Sequence, residues 1–251
     1  RKRIDVGDPE AYWYLKAAKA LIWPDVDRYS LTGALYQYSW TDRMDAAFAR
    51  DRELLSFWLG CSGMGKSRNW MANALILRWA YPTTSRVIYQ TTSTGDAMKR
   101  GWKEVVDLGT YARDVHDLPF AEIKSPTHKI VDPSAKSDSY CIQLEAADRS
   151  TQHATGGGIG GHFPIELRLH DESNEFGYDV TGSMENLVAP HKKLWFVHMC
   201  NPKSWEDEAG RHTIPDDEWA EEYHGPAGPK GTDAVTAVSY THLTLPTIGE
   251  V

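Results

Sequence analysis

Leu54-Leu55-Ser56-Phe57-Trp58-Leu59 runs straight into Gly60-Cys61-Ser62-Gly63-Met64-Gly65-Lys66-Ser67. The residues up to Leu59 form a short apolar run closed by glycine, the pattern of a strand buried on both faces. The next eight match the phosphate-binding pattern GxxxxGK[ST] at every fixed position. Gly60, Gly63 and Gly65 permit a tight backbone, so that the N–H groups of this loop, those of Cys61, Ser62 and Met64 included, turn inward as a cradle for phosphate oxygens. Lys66 has the reach for β and γ phosphates, and the Ser67 hydroxyl suits Mg2+. Beyond it Trp70, Met71, Ala74, Leu75 and Trp79 recur at helical spacing up to Pro82, so a helix N-terminus would face the anion.

A second unit repeats the order. Arg86-Val87-Ile88-Tyr89-Gln90-Thr91 reads as a strand and Asp96 to Leu108 as one helix behind it. Between Asp107 and Ser139 the chain is polar and interrupted by proline. Further strands are expected at Tyr140 to Glu145, Ile165 to His170 and Leu194 to Met199, with a glycine-rich loop at Gly156 to Gly161. Alternation of this kind predicts an α/β fold, a P-loop NTPase of the class with an additional strand and a catalytic glutamate (ASCE), its mainly parallel central sheet flanked by helices. Ahead of it, Asp8-Pro9 starts a helix through Ala20 that ends near Pro24, and a second helical pattern covers Asp42 to Arg50. The expected organisation is a helical N-terminal appendage over 1–53, the P-loop domain over 54–228 and a disordered tail over 229–251. Within that tail Val238 to Thr247 resembles a translated sequencing adapter, and the natural protein is expected to continue past this point.

The second half of a P-loop site is a carboxylate at the end of a later strand for the metal, and a second acid to orient the attacking water. Asp171 and Glu172 directly follow Ile165 to His170 and are assigned these roles in that order. The strand before them alternates, with Glu166, Arg168 and His170 on one face. A polar face on a central strand must meet the glycine loop or a neighbour. Asn201-Pro202 ends the last strand, where an amide can sense the γ-phosphate or its water.

Composition sets bounds. Lys and Arg total 27 against 35 Asp and Glu, a formal net charge of -8. That excludes the basic footprint of a protein that coats nucleic acid and still allows a local basic strip. Cys61, Cys141 and Cys200 lie far apart without CxxC spacing, which suggests neither a zinc site nor a disulfide framework. No apolar run approaches the ~20 residues that cross a bilayer, so a cytosolic protein is expected. Trp58, Trp70, Trp79 and Trp195 fall in core elements, and His170 and His198 read as strand residues with local partners.

In this order, the three elements resemble the ATPase domain of phage large terminases. That family has a P-loop, a hydrophobic strand ending in Asp-Glu, and a coupling strand ending in a small residue followed by Asn-Pro. Here these are Gly60 to Ser67, Asp171-Glu172 and Cys200-Asn201-Pro202, and Tyr89 to Ala97 and Thr155 to Gly161 resemble the family's linking segments. The resemblance covers residues 54 to 210. It implies ATP hydrolysis with Mg2+ that drives double-stranded DNA into a procapsid. The implied partners are DNA, portal protein, a small terminase subunit and further copies of the chain in a ring, in the host cytoplasm and without a membrane. In that reading Lys66 and Glu172 serve hydrolysis, Ser67 and Asp171 hold the metal, and Asn201 relays turnover. Many members carry an arginine inside the P-loop, which this chain lacks. Arg149, ahead of the glycine loop, is the candidate substitute, whereas Arg68 reads as a surface helix residue. No acidic cluster on a further α/β unit follows Pro202, so no nuclease domain is expected in this chain.

Two other readings share part of the pattern. A P-loop ATPase of helicase type needs the loop and the acids but not the Asn-Pro strand tip. A nucleotide-binding assembly protein that does not hydrolyse has no use for Glu172. A small-molecule kinase would carry an arginine-rich lid, and none is seen.

Overall fold

The apolar run ahead of the glycine loop forms strand β1 (Glu53–Leu59), and the helical pattern behind it forms α3 (Lys66–Ala80). The computed structural model describes residues 10–24, 39–50, 53–59, 65–134, 139–146, 163–175 and 193–201. The expected loop residues Gly60, Cys61, Ser62, Gly63 and Met64, the glycine-rich loop, Arg149, and everything from Pro202 onward lie outside them. Ahead of β1 come α1 (Ala11–Ile22) and α2 (Ser39–Arg50). After α3 follow β2 (Ser85–Thr91), α4 (Thr94–Lys99), α5 (Gly101–His116), β3 (Ala121–Ile123), β4 (Lys129–Val131), β5 (Ile142–Ala146), β6 (Ile165–Asp171) and β7 (Lys193–Cys200).

The seven strands make one sheet in the order β1-β7-β6-β2-β5-β4-β3. Every pairing from β1 to β5 is parallel, and β4 and β3 add antiparallel strands at one edge. The protein is therefore α/β with a mostly parallel sheet. Strand periodicity of two puts Val87, Tyr89, Leu167, Leu169, Trp195, Val197 and Met199 into one apolar cluster with Trp70, Met71 and Leu75 of α3 and Val105 and Leu108 of α5. Trp58, Trp70 and Trp195 are buried there and Trp79 packs partly buried against it.

The polar positions of β6 lie on the opposite face, all of them buried. The arginine Nε of Arg168 donates to Glu166 Oε1 at 2.5 Å. Beside them Arg86 donates to Gln143 Oε1 at 3.1 Å and lies 3.6 Å from Glu145. Burial pushes the Glu145 carboxyl above its ordinary pKa, against the pull of Arg86. On β6 the two charges thus pair with each other along the strand, Arg168 also lies 5.8 Å from the centroid of the Phe196 ring of β7, and the ion pair between strands joins β2 to β5. His170 and His198, register partners on β6 and β7, pack edge to face with ring centroids 4.6 Å apart. Burial, aided by Arg168, lowers the His170 pKa to about 3, so its ring is neutral.

Two expectations change. The single helix over Asp96 to Leu108 is two helices broken at Arg100, whose φ of -113° and ψ of -120° leave the helical region. The start is earlier because Ser93 accepts from the Asp96 N–H at 3.1 Å and so caps α4. The stretch from Asp107 to Ser139, read only as polar and interrupted by proline, extends α5 to His116 and then supplies β3 and β4, three residues each. Strands that short show no alternation to read.

A buried polar knot fastens α1 and α2 to α3. The Lys19 ammonium lies 2.5 Å from Asp45, both side chains only 2% exposed, and donates to Asn69 Oδ1 at 2.9 Å. Asp45 also accepts from Asn69 and Asn73 at 3.1 and 3.2 Å. Removing one charge strands the other in the core. Lys19→Met is expected to lower unfolding free energy by about 3 kcal/mol in urea titrations. Adding Asp45→Leu should restore only part of that, since Asn69 and Asn73 then lose their acceptor.

Candidate nucleotide site

Parallel strands bring their C-terminal ends to one edge of the sheet. With β7 between β1 and β6, that edge gathers Leu59 at the end of β1, Asn201 and the Asp171-Glu172 pair on adjacent strands. Asp171 pairs in register with Met199, and Leu59 with Cys200, so Asn201 lies one residue past the last pair of β1 with β7.

At the other side of the site, Gly65 precedes α3 at φ 75°, the left-handed region that glycine adopts without a Cβ clash. Lys66 and Ser67 are the first two residues of α3, whose first turn carries no acidic side chain. The positive end of the helix dipole is therefore left for an anion.

The two halves meet at Asp171. The Ser67 hydroxyl donates to Asp171 Oδ2 at 3.0 Å across 104 residues of sequence. Tyr89 donates to the same oxygen at 2.7 Å. Burial and the Asp171 carboxylate push the Tyr89 phenol well above its ordinary pKa, so it remains a donor. The site so offers a hydroxyl and a buried carboxylate side by side, hard oxygen donors that fit Mg2+.

Glu172 takes φ 57°, left-handed for a residue with a Cβ. That conformation costs about 1–2 kcal/mol and turns the chain sharply where the strand ends, so consecutive acids point to different partners. Glu172 is ion-paired with Arg100 at 2.6 Å.

Of the residues expected from the sequence, Gly65, Lys66, Ser67, Asp171, Glu172 and Asn201 occupy this edge, and Ser67 and Asp171 touch. Arg68 corrects its assignment to the surface. It is buried and pairs with Glu104 of α5 at 2.5 Å, because α5 covers the side of α3 that helical spacing alone leaves open. Sequence reasoning missed Tyr89 and Arg100. Tyr89 opens the linking segment singled out above, but a tyrosine inside a strand run carries no mark that its hydroxyl seeks a carboxylate. Arg100 is placed by the helix break, which the sequence did not reveal.

No protein-family profile matches the sequence, and no curated protein sequence matches it. Solved structures do. A variant of the Thermus phage P74-26 large terminase ATPase domain is similar at 12% identity over 72% of each chain, with a TM-score of 0.44. The HK97 bacteriophage large terminase is similar at 10% identity over 72% of this chain, with a TM-score of 0.48, and the chain spans 37% of its length. The Phi-28 gp11 DNA packaging motor is similar at 16% identity over 60% of this chain and 47% of that one, with a TM-score of 0.34. These are resemblances of outline, and the chemistry of the site rests on Ser67, Tyr89, Asp171 and Glu172 themselves.

Proposed function

We propose that this chain is the ATP-hydrolysing portion of a viral DNA-packaging motor, and that it drives double-stranded DNA into a procapsid as one subunit of a ring. The observation that carries the hydrolase reading is the 3.0 Å contact between Ser67 at the start of α3 and Asp171 at the tip of β6. A glycine-rich turn without a ligand has no reason to deliver its terminal hydroxyl to a buried carboxylate. The Asp171-Glu172 pair and Asn201, at neighbouring strand ends on one sheet edge, support the motor over other P-loop ATPases.

In this reading Lys66 binds the β and γ phosphates of ATP, and Ser67 and Asp171 hold Mg2+. Bound there, Mg2+ would neutralise charge on the phosphate oxygens. Glu172 orients the attacking water and accepts its proton. Asn201, directly past the end of β7, senses the γ-phosphate end and relays turnover. Portal protein, a small terminase subunit and the neighbouring subunits are the partners of this reading, in the host cytoplasm. Arg149, outside the described residues, is its cation for the transition state.

Arg100 holds Glu172 by a partly exposed ion pair, and that carboxylate must be released before it can accept a proton. Arg100→Ala is expected to raise ATP turnover without DNA about two- to fivefold, the worth of one such pair, as measured by phosphate release. Double-stranded DNA should stimulate phosphate release by the wild-type chain. A folded, ATP-binding chain indifferent to DNA would return the reading to a nucleotide-binding assembly protein, and unwinding of a forked duplex would favour a helicase.

A further inference from the structure

Asp171 Oδ2 receives two hydroxyl donors, from Ser67 and from Tyr89. Ser67 belongs to the nucleotide loop, but Tyr89 does not. It lies on β2, the strand next to β6, with its ring fully buried in the apolar cluster. Only its hydroxyl leaves that cluster, and it has two partners. It donates to Asp171 at 2.7 Å and accepts from the Gly101 backbone N–H, the first residue of α5, at 3.2 Å.

Gly101 is fitted to this contact. A Cβ there would lie 2.7 Å from the Tyr89 hydroxyl oxygen, 2.8 Å from its Cζ and 2.9 Å from the Met71 methyl. Only a glycine lets the backbone come close enough to donate. The chain leaves helical geometry one residue earlier, at Arg100, whose side chain holds Glu172. The junction between α4 and α5 therefore reaches both acids, one through a side chain and the other through Tyr89.

We propose that Tyr89 is a positioning residue for the metal site: by occupying Asp171 Oδ2 together with Ser67, it fixes the carboxylate so that Oδ1 faces the cation. Partners of metal-binding carboxylates act in this way because orientation is set before the metal arrives, and their loss weakens metal binding about 10–100-fold. The inference rests on the reading of Ser67 and Asp171 as a metal-nucleotide site.

The test uses binding, not turnover. Mn2+ affinity in the presence of ADP is measured by electron paramagnetic resonance, and ADP affinity without metal by fluorescence. Tyr89→Phe, which keeps the buried ring, should weaken Mn2+ binding about tenfold and leave metal-free ADP binding unchanged. Gly101→Ala, which keeps the hydroxyl but crowds it, should weaken Mn2+ in the same direction, and it serves as well if Tyr89→Phe does not fold. In an Asp171→Asn background Tyr89→Phe should have no further effect on Mn2+. A folded Tyr89→Phe chain that binds Mn2+ as tightly as wild type overturns the assignment of Tyr89 alone, as does an undiminished effect in the Asp171→Asn background. A wild-type chain that binds no Mn2+ with ADP overturns the metal-nucleotide reading itself.

Discussion

Replacing Glu172 with glutamine is expected to lower ATP turnover by about 10²–10⁴-fold, the usual worth of a positioned general base, while ATP affinity changes little. The amide has the size of the carboxylate and tolerates the left-handed backbone at φ 57° as well or as poorly. What it lacks is the ability to take a proton from water. It also loses the charge that pairs with Arg100 at 2.6 Å, so the guanidinium is freed in the same variant. A glutamine variant that turns over ATP at the wild-type rate would remove Glu172 from the chemistry, and equal loss of binding and turnover would make it a binding residue instead. Phosphate release and a filter-binding isotherm, run on the same preparation, separate these outcomes.

Asp171→Asn should strike an earlier step. Two hydroxyls converge on Oδ2 of Asp171, which is 6% exposed. The amide oxygen satisfies them best in that place, and its NH2 group then turns toward the position proposed for the cation. Charge is lost and a donor faces a cation, so Mg2+-dependent nucleotide affinity should fall about 10–100-fold, with metal-free binding preserved. Stability should change less than with Asp171→Ala, which leaves the buried Tyr89 hydroxyl without an acceptor, at about 1–3 kcal/mol. Isothermal titration with and without Mg2+ checks the first outcome and thermal melting the second. Unchanged Mg2+ dependence would dismiss Asp171 as a metal ligand.

Much of the architecture is written locally. The run Leu54 to Leu59, the spacing Trp70 to Trp79 and the strand patterns at Arg86, Ile165 and Leu194 each carry their own periodicity, and parallel strands follow from their alternation with helices. Errors arose where the deciding contact is distant. The break at Arg100 comes with Gly101 meeting the Tyr89 hydroxyl, 12 residues away in sequence. The burial of Arg68 depends on Glu104, 36 residues away. The two three-residue edge strands are too short to show a period.

The sequence by itself determined the parts of the site, because a phosphate loop and a strand-end acid pair need particular residue types in short stretches, and chemistry of that kind is local. Only the tertiary structure decided that Tyr89 shares Asp171 with Ser67, that Arg100 holds Glu172, and that Arg86 of β2 meets Glu145 of β5. These contacts join residues from separate elements. Which side chains face one another at a sheet edge is fixed by strand order and register, and no single segment encodes either one.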